Sequence, residues 1–239
     1  MSYLFMVRHG QASFLSDDYD KLSPLGMDQS RRLGEYWVRH GLTFHRVIAG
    51  PRRRHRETAE GVREAYVAAG LPFPELEIRP GFDEFQADEM VSHSITTLSG
   101  QYQEIKDLHL QFLAAPTAEE KSRTFQKFME VVTRLWARAE FHAPGLEPWT
   151  IFETRVHAAL DALIAESPRG SRVAVFTSGG PAALSVQRAL CTAPEKTLEL
   201  IWTLRNAALV EFLYTHDRFT LSTFNTAPHL ETSEFWTYR

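Results

Sequence analysis

The sequence predicts an α/β fold, a three-layer sandwich around a mostly parallel sheet with a helical insertion. Three observations carry this expectation. Short continuous apolar runs alternate with segments of helical period, the runs end in polar or glycine-rich turns, and two strand-like runs close the chain around a turn at His216 and Asp217.

Residues 3–7 form an unbroken apolar run stopped by Arg8, His9 and Gly10, the pattern of a strand buried on both faces that ends in a loop. After the Ser- and Asp-rich stretch 16–23, Pro24 follows a serine as a helix-start signal. Leu25, Gln29, Leu33 and Trp37 then share a face until Gly41. A short strand at 46–49 breaks at Gly50-Pro51, and Ala59, Val62, Ala65 and Ala69 mark a helix ending at Gly70, with a further strand around Ile78. From 101 to 145 there is no strand-like run. Phe125, Phe128, Met129, Val132, Leu135, Trp136 and Ala139 trace a helical stripe that begins at a capping box, Thr117 with Glu120. These features predict one domain over 1–239 with a helical insertion at about 86–149, a candidate lid. A second capping box, Thr150 with Glu153, opens a helix with Phe152, Val156, Leu160 and Leu163 on one face. The run RVAVFT at 172–177 is a buried strand leading through Ser178, Gly179, Gly180 and Pro181 into a helix. Thr192, Pro194 and Glu195 start another helix, and 207–214 with 219–224 form the closing hairpin.

Composition bounds the function. With 239 residues and 44% hydrophobic content, the chain buries about 70 to 75% of its unfolded surface and needs neither disulfide nor metal to fold. Cys191 is the single cysteine, and MSYLFMVRHG carries no basic leader, so the expected location is the cytoplasm. Apolar runs of about seven residues fall short of a membrane span. The net charge of -4 argues against a nucleic-acid partner despite the basic run Arg52, Arg53, Arg54, His55, Arg56.

Ligands in open α/β sheets gather beyond the carboxyl ends of the strands. Three such ends carry chemistry: Arg8-His9-Gly10, the turn leading to Arg54, and Thr177 to Gly180, with Phe82-Asp83-Glu84-Phe85 a fourth candidate. Each alone is most simply a loop, a solvated helix face or a tight turn. In combination, RHG, YDKLSPLGMDQS, PRRRHRETA, GFDEF and VAVFTSGG resemble the histidine phosphatase superfamily, which includes cofactor-dependent phosphoglycerate mutases. The resemblance covers most of the chain and is weakest over the helical insertion.

The resemblance implies a phosphatase acting on a small phosphorylated molecule, without metal or cofactor, through phosphohistidine at His9. Arg8 and Arg54 would clamp the phosphoryl oxygens, since guanidinium stays charged and donates in a planar fork. Glu84 stands where the family places its general acid, with Asp83 as the second choice, and Gln11 and Ser178 would add donors to phosphate. Asn206 matches a late family asparagine, read here as structural.

Several residues depart from the family pattern. Ser178 stands where a second histidine is expected, and a serine hydroxyl cannot carry positive charge. Loss of one transition-state donor costs about 3 kcal/mol, so Ser178→His is expected to raise the rate; His93 and His229 are other histidines that could swing in, though nothing in the sequence demands it. Gly50 and Glu57 replace the more usual Ser and Gln, and Phe14-Leu15 stand in place of the Trp-Asn pair of mutases. Arg52, Arg53 and Arg56 are read as helix-surface charges. Phe82, Phe85 and Trp149 are candidates for an apolar leaving-group pocket, with a core role the simpler reading. Two rivals follow: a pseudoenzyme that binds a phospho-ligand with little turnover, and, much weaker, a nucleic-acid module using the arginine run.

Overall fold

The computed structural model describes residues 1–13 and 20–238; Phe14 and Leu15 lie outside the described residues. Among the described residues there are six strands in one sheet and eight α-helices. The strands are β1 (Ser2–Arg8), β2 (Arg46–Ala49), β3 (Leu76–Ile78), β4 (Arg172–Thr177), β5 (Leu209–Thr215) and β6 (Arg218–Thr226). Their order is β3-β2-β4-β1-β5-β6, with β3, β2, β4 and β1 parallel, β5 antiparallel to β1, and β6 antiparallel to β5. The expected mostly parallel sheet is present.

Helices cover both faces, which is why the parallel strands read as continuous apolar runs. On one face Phe5, Val7, Val47, Ala49, Ala174 and Phe176 pack against Leu33 and Trp37 of α1 (Pro24–Arg39) and Val62 and Tyr66 of α2 (Arg53–Ala68). On the other, Leu4, Met6, Ile48, Val173 and Val175 join the larger core formed with α3 (Ala87–Leu98), α4 (Gln103–Ala114), α5 (Ala118–Ala137), α6 (Trp149–Glu166), α7 (Gly179–Leu190) and α8 (Pro194–Thr203). Neighbouring residues of β1 thus go to opposite layers, and neither layer is dispensable.

Helix starts follow local chemistry at two of the three expected caps. Ser23 Oγ accepts from Gly26 N at 3.0 Å ahead of Pro24, and Thr117 Oγ1 accepts from Glu120 N at 3.2 Å. The third differs: α6 starts one residue before Thr150, with Pro148 at the cap position. The buried Trp149 ring packs edge-on against Trp136 and Phe152, and the Pro148 carbonyl accepts from Ile151 and Phe152, so core packing draws the start back. The helix of the RETA motif also begins earlier than its apolar stripe, at Arg53, where Asp20 Oδ2 accepts from the Arg53 amide at 2.8 Å and places a carboxylate at the positive helix end.

The strand order puts the carboxyl ends of β2, β4 and β1 side by side. One edge of the sheet therefore gathers the starts of α2 and α7 with the loop after β1.

Candidate active site

His9 follows β1 and is held as firmly as the strand itself. Its amide donates to Thr177 O of β4 at 2.8 Å, while its carbonyl accepts from Ala207 N at 3.1 Å and Asn206 Nδ2 at 3.2 Å. Gly10 N donates to Thr58 Oγ1 of α2 at 3.0 Å, tying the loop to the opposite layer. Asn206 also accepts from Thr237 Oγ1 at 3.0 Å and so links this loop to the C-terminal segment.

The imidazole of His9 is buried, with Nδ1 2.7 Å from Gly10 O. A carbonyl can only accept, so Nδ1 carries the hydrogen and Nε2 keeps its lone pair. Arg54 Nε donates toward that nitrogen at 3.2 Å. Burial, then Arg54, Arg8 and His55, push the pKa of His9 well below the usual histidine range, so the ring is neutral near pH 7.

Arg8, His9, Arg54 and Glu84 line one cavity of about 90 Å³ together with Gly179 at the start of α7. The Arg8 guanidinium is braced by the carbonyls of Leu204 and Tyr238, the latter at 2.8 Å. Arg54 also pairs with Asp20 at 2.8 Å. The rest of the wall is largely apolar: Phe85, Phe125, Met129, Ile201 and Trp202. Two of these come from α5, so this helix borders the site. Phe85 is the one of the three aromatic candidates that lines the cavity; Phe82 and Trp149 belong to the core.

Glu84 is positioned from two directions. Its Oε2 accepts from Gly180 N at 3.1 Å and its Oε1 from Phe85 N at 3.1 Å, while Phe82 O accepts from Thr177 Oγ1 at 2.7 Å and anchors the turn to β4. A Cβ on residue 180 would stand 2.1 Å from Glu84 Oε1, so the carboxyl group and α7 meet in this way only over a glycine. Burial raises the Glu84 pKa and outweighs the amide bonds from Gly180 and Phe85 and the charges of Arg54 and Arg52, all of which oppose it. Asp83, the second choice for an acid, instead anchors Arg52 at 2.7 Å and does not line the cavity.

The structure places the other expected residues differently. Gln11 lies in a neighbouring cleft, its Oε1 accepting from Ser23 Oγ at 2.7 Å. Ser178 is buried at the cap of α7 and its Oγ is 2.6 Å from Nε2 of His55, a residue to which the sequence assigned no role. A histidine at 178 would run into the His55 ring, so Ser178→His alone is expected to disturb the site instead of improving it. His93 bonds Glu89 O of its own helix, and His229 is buried beside Tyr36 and Arg32; neither lines the cavity.

Arg52 is not a surface charge. It is half-buried between Asp83 and the carbonyls of Glu84 and Phe85, whereas Arg53 pairs with Glu57 and Arg56 is exposed. Glu57 also accepts from Leu22 N at 2.8 Å, so one carboxylate serves both the Arg53 ion pair and the segment before α1. Among the described residues no three of His, Cys, Asp or Glu are grouped as metal ligands, and no helix is long and apolar enough to cross a membrane.

Comparison with known proteins bears on the family and the fold. The sequence profile described as histidine phosphatase superfamily (branch 1) matches residues 4–138 and 118–227. No curated protein matches the chain. Among solved structures, a phosphoglycerate mutase from Bacillus anthracis str. Sterne superposes with a TM-score of 0.64 at 17% identity, covering 96% of this chain and 95% of that one. A mycobacterial glucosyl-3-phosphoglycerate phosphatase in complex with inorganic phosphate gives 0.62 at 17% identity, covering 95% and 98%. A phosphoserine phosphatase from Entamoeba histolytica in complex with 3-phosphoglyceric acid gives 0.62 at 17% identity, covering 96% and 100%. At such identities the likeness concerns the fold.

Proposed function

Because this chain belongs to the histidine phosphatase superfamily, we propose that it is a metal-independent phosphatase, hydrolysing a small phosphomonoester through a phosphohistidine at His9. The reading rests above all on one observation: a neutral buried imidazole shares a small cavity with two arginines and one carboxyl group of raised pKa.

In this mechanism the phosphoryl group enters between Arg8 and Arg54, whose guanidinium groups balance the charge spread over its oxygens. Arg54 exchanges its contact with His9 Nε2 for the phosphoryl oxygens, and the freed lone pair attacks phosphorus. As the N–P bond forms, the P–O ester bond breaks and Glu84 gives its proton to the leaving oxygen. Water then attacks the phosphohistidine, Glu84 takes the water's proton, and phosphate leaves with His9 neutral again. The Gly10 carbonyl keeps the same tautomer throughout. The apolar wall favours leaving alcohols with an apolar body beside the ester oxygen.

Rapid quench into alkaline detergent during turnover of p-nitrophenyl phosphate, followed by acid treatment of a portion, tests the nucleophile. Acid-labile phosphate on the wild-type protein, absent from His9→Ala, is the expected result. Turnover no higher than that of His9→Ala between pH 5 and 8 sinks the enzyme reading and leaves a phosphate-binding protein without turnover.

A further inference from the structure

His55 is fully buried on α2, with its ring centroid 5.8 Å from that of His9 and its Nε2 2.6 Å from Ser178 Oγ. Room for the ring is made at Gly50, where a Cβ would stand 2.4 Å from Nδ1. Among the described residues the charged and titratable groups that face it are Arg54 and Arg52 from the start of the same helix and His9 from the loop after β1. Burial, then Arg54 and Arg52, keep the ring neutral near pH 7. A side chain that only filled this space would be apolar, because a desolvated imidazole beside guanidinium groups costs free energy and gains no opposite charge.

We propose that His55 is a positioning residue of the phosphoryl site that acts through Ser178, taking up a proton when a dianion fills the cavity. This rests on the phosphoryl-transfer reading of the site. A dianion between Arg8 and Arg54 offsets the field that keeps the ring neutral. Once His55 is protonated both ring nitrogens donate, so Nε2–H is given to Ser178 Oγ and the hydroxyl can no longer donate to His55. The hydroxyl proton is then released toward the start of α7, where Gly179 borders the cavity. A cation that serine cannot supply at 178 is thus delivered from the opposite layer of the sandwich.

Calorimetry of sulfate binding from pH 5.5 to 8, in buffers of different ionisation enthalpy, reads the proton uptake without needing turnover, and sulfate stays a dianion throughout. The wild-type protein is expected to take up a proton with sulfate near pH 7. His55→Gln keeps an amide donor near the Nε2 position but cannot be protonated; it should lose the uptake and bind sulfate about tenfold more weakly at pH 6. In turnover, His55→Ala and Ser178→Ala should lower kcat by similar factors, and the double variant no further than either. Should His55→Ala fail to fold, His55→Gln and Ser178→Ala carry the comparison.

Uptake that persists in His55→Gln assigns the proton to another group of the cavity, His9 or Glu84, and overturns the proposal, as do fully additive losses in the double variant. Proton-linked sulfate binding that is lost in His55→Gln, in a wild-type protein without turnover, would defeat the phosphatase reading and support this one.

Discussion

At the scale of single residues, burial separates neighbours of like charge. Arg54 is buried against His9, Arg52 braces the turn that carries Glu84, and Arg56 is exposed, although all lie within five positions of a basic run. The tightest local constraint is between Glu84 and Gly180. Gly180→Ala would drive its methyl into the Glu84 carboxyl group and the Phe152 ring, the second contact falling at 2.8 Å. We expect a loss of about 1 to 3 kcal/mol in urea unfolding and a fall in turnover. Glu84→Gln leaves that space unchanged and should lower kcat for alkyl phosphates by about 10² to 10⁴, with p-nitrophenyl phosphate much less affected because its leaving group needs little help from an acid. Equal losses on both substrates would remove Glu84 from the role of proton donor.

At the scale of elements, α5 both stabilises the larger core and borders the cavity. Its two ends are therefore expected to respond differently. Thr117→Ala removes the cap and should cost about 1 kcal/mol of stability with KM unchanged, because the first turn is remote from the cavity lining. Met129→Ala removes a buried side chain that also lines the cavity. It should cost about 2 to 5 kcal/mol and raise KM. Denaturant curves with steady-state kinetics on both variants check this, and a KM unchanged by Met129→Ala would detach α5 from substrate binding.

For the whole molecule, enclosing two layers around one sheet leaves His9, His55 and His229 as buried imidazoles with lowered pKa, His229 at about 3 through burial and then Arg32. The unfolded chain binds protons at these positions from about pH 6.5 downward, and the folded chain does not. Their contribution to stability is complete above pH 6.5 and is lost as pH falls; for His229 the loss continues down to about 3. Glu84, with its raised pKa, works in the opposite sense, favouring the fold less as pH rises above the usual carboxyl range. Each buried imidazole should contribute about 1.4 kcal/mol per pH unit to the slope of unfolding free energy. Urea titrations at pH 7.5, 6.0 and 5.0 should show a shallower pH dependence for His229→Leu than for the wild type, and parallel slopes would contradict it.

The sequence by itself determined the α/β class, the family and the residues gathered at the strand ends. Apolar runs, helical stripes and turn residues are local records of burial on one face or two, and Arg8, His9, Arg54 and Glu84 all fall just beyond such records. Only the tertiary structure decided that Ser178 meets His55, that Asp83 serves Arg52, and that α6 starts at Trp149 instead of the cap signalled by Thr150. His55 and Ser178 are far apart in the chain, and although His55 falls on the buried stripe of α2, four residues before Ala59 and seven before Val62, that spacing does not say what the imidazole meets. The signals that could have found it were Gly50 and Ser178 themselves, two small residues where larger ones were expected. The space they leave belongs to a third residue, and local spacing does not reveal which one, because contacts between distant elements are set by how the two layers close over the sheet.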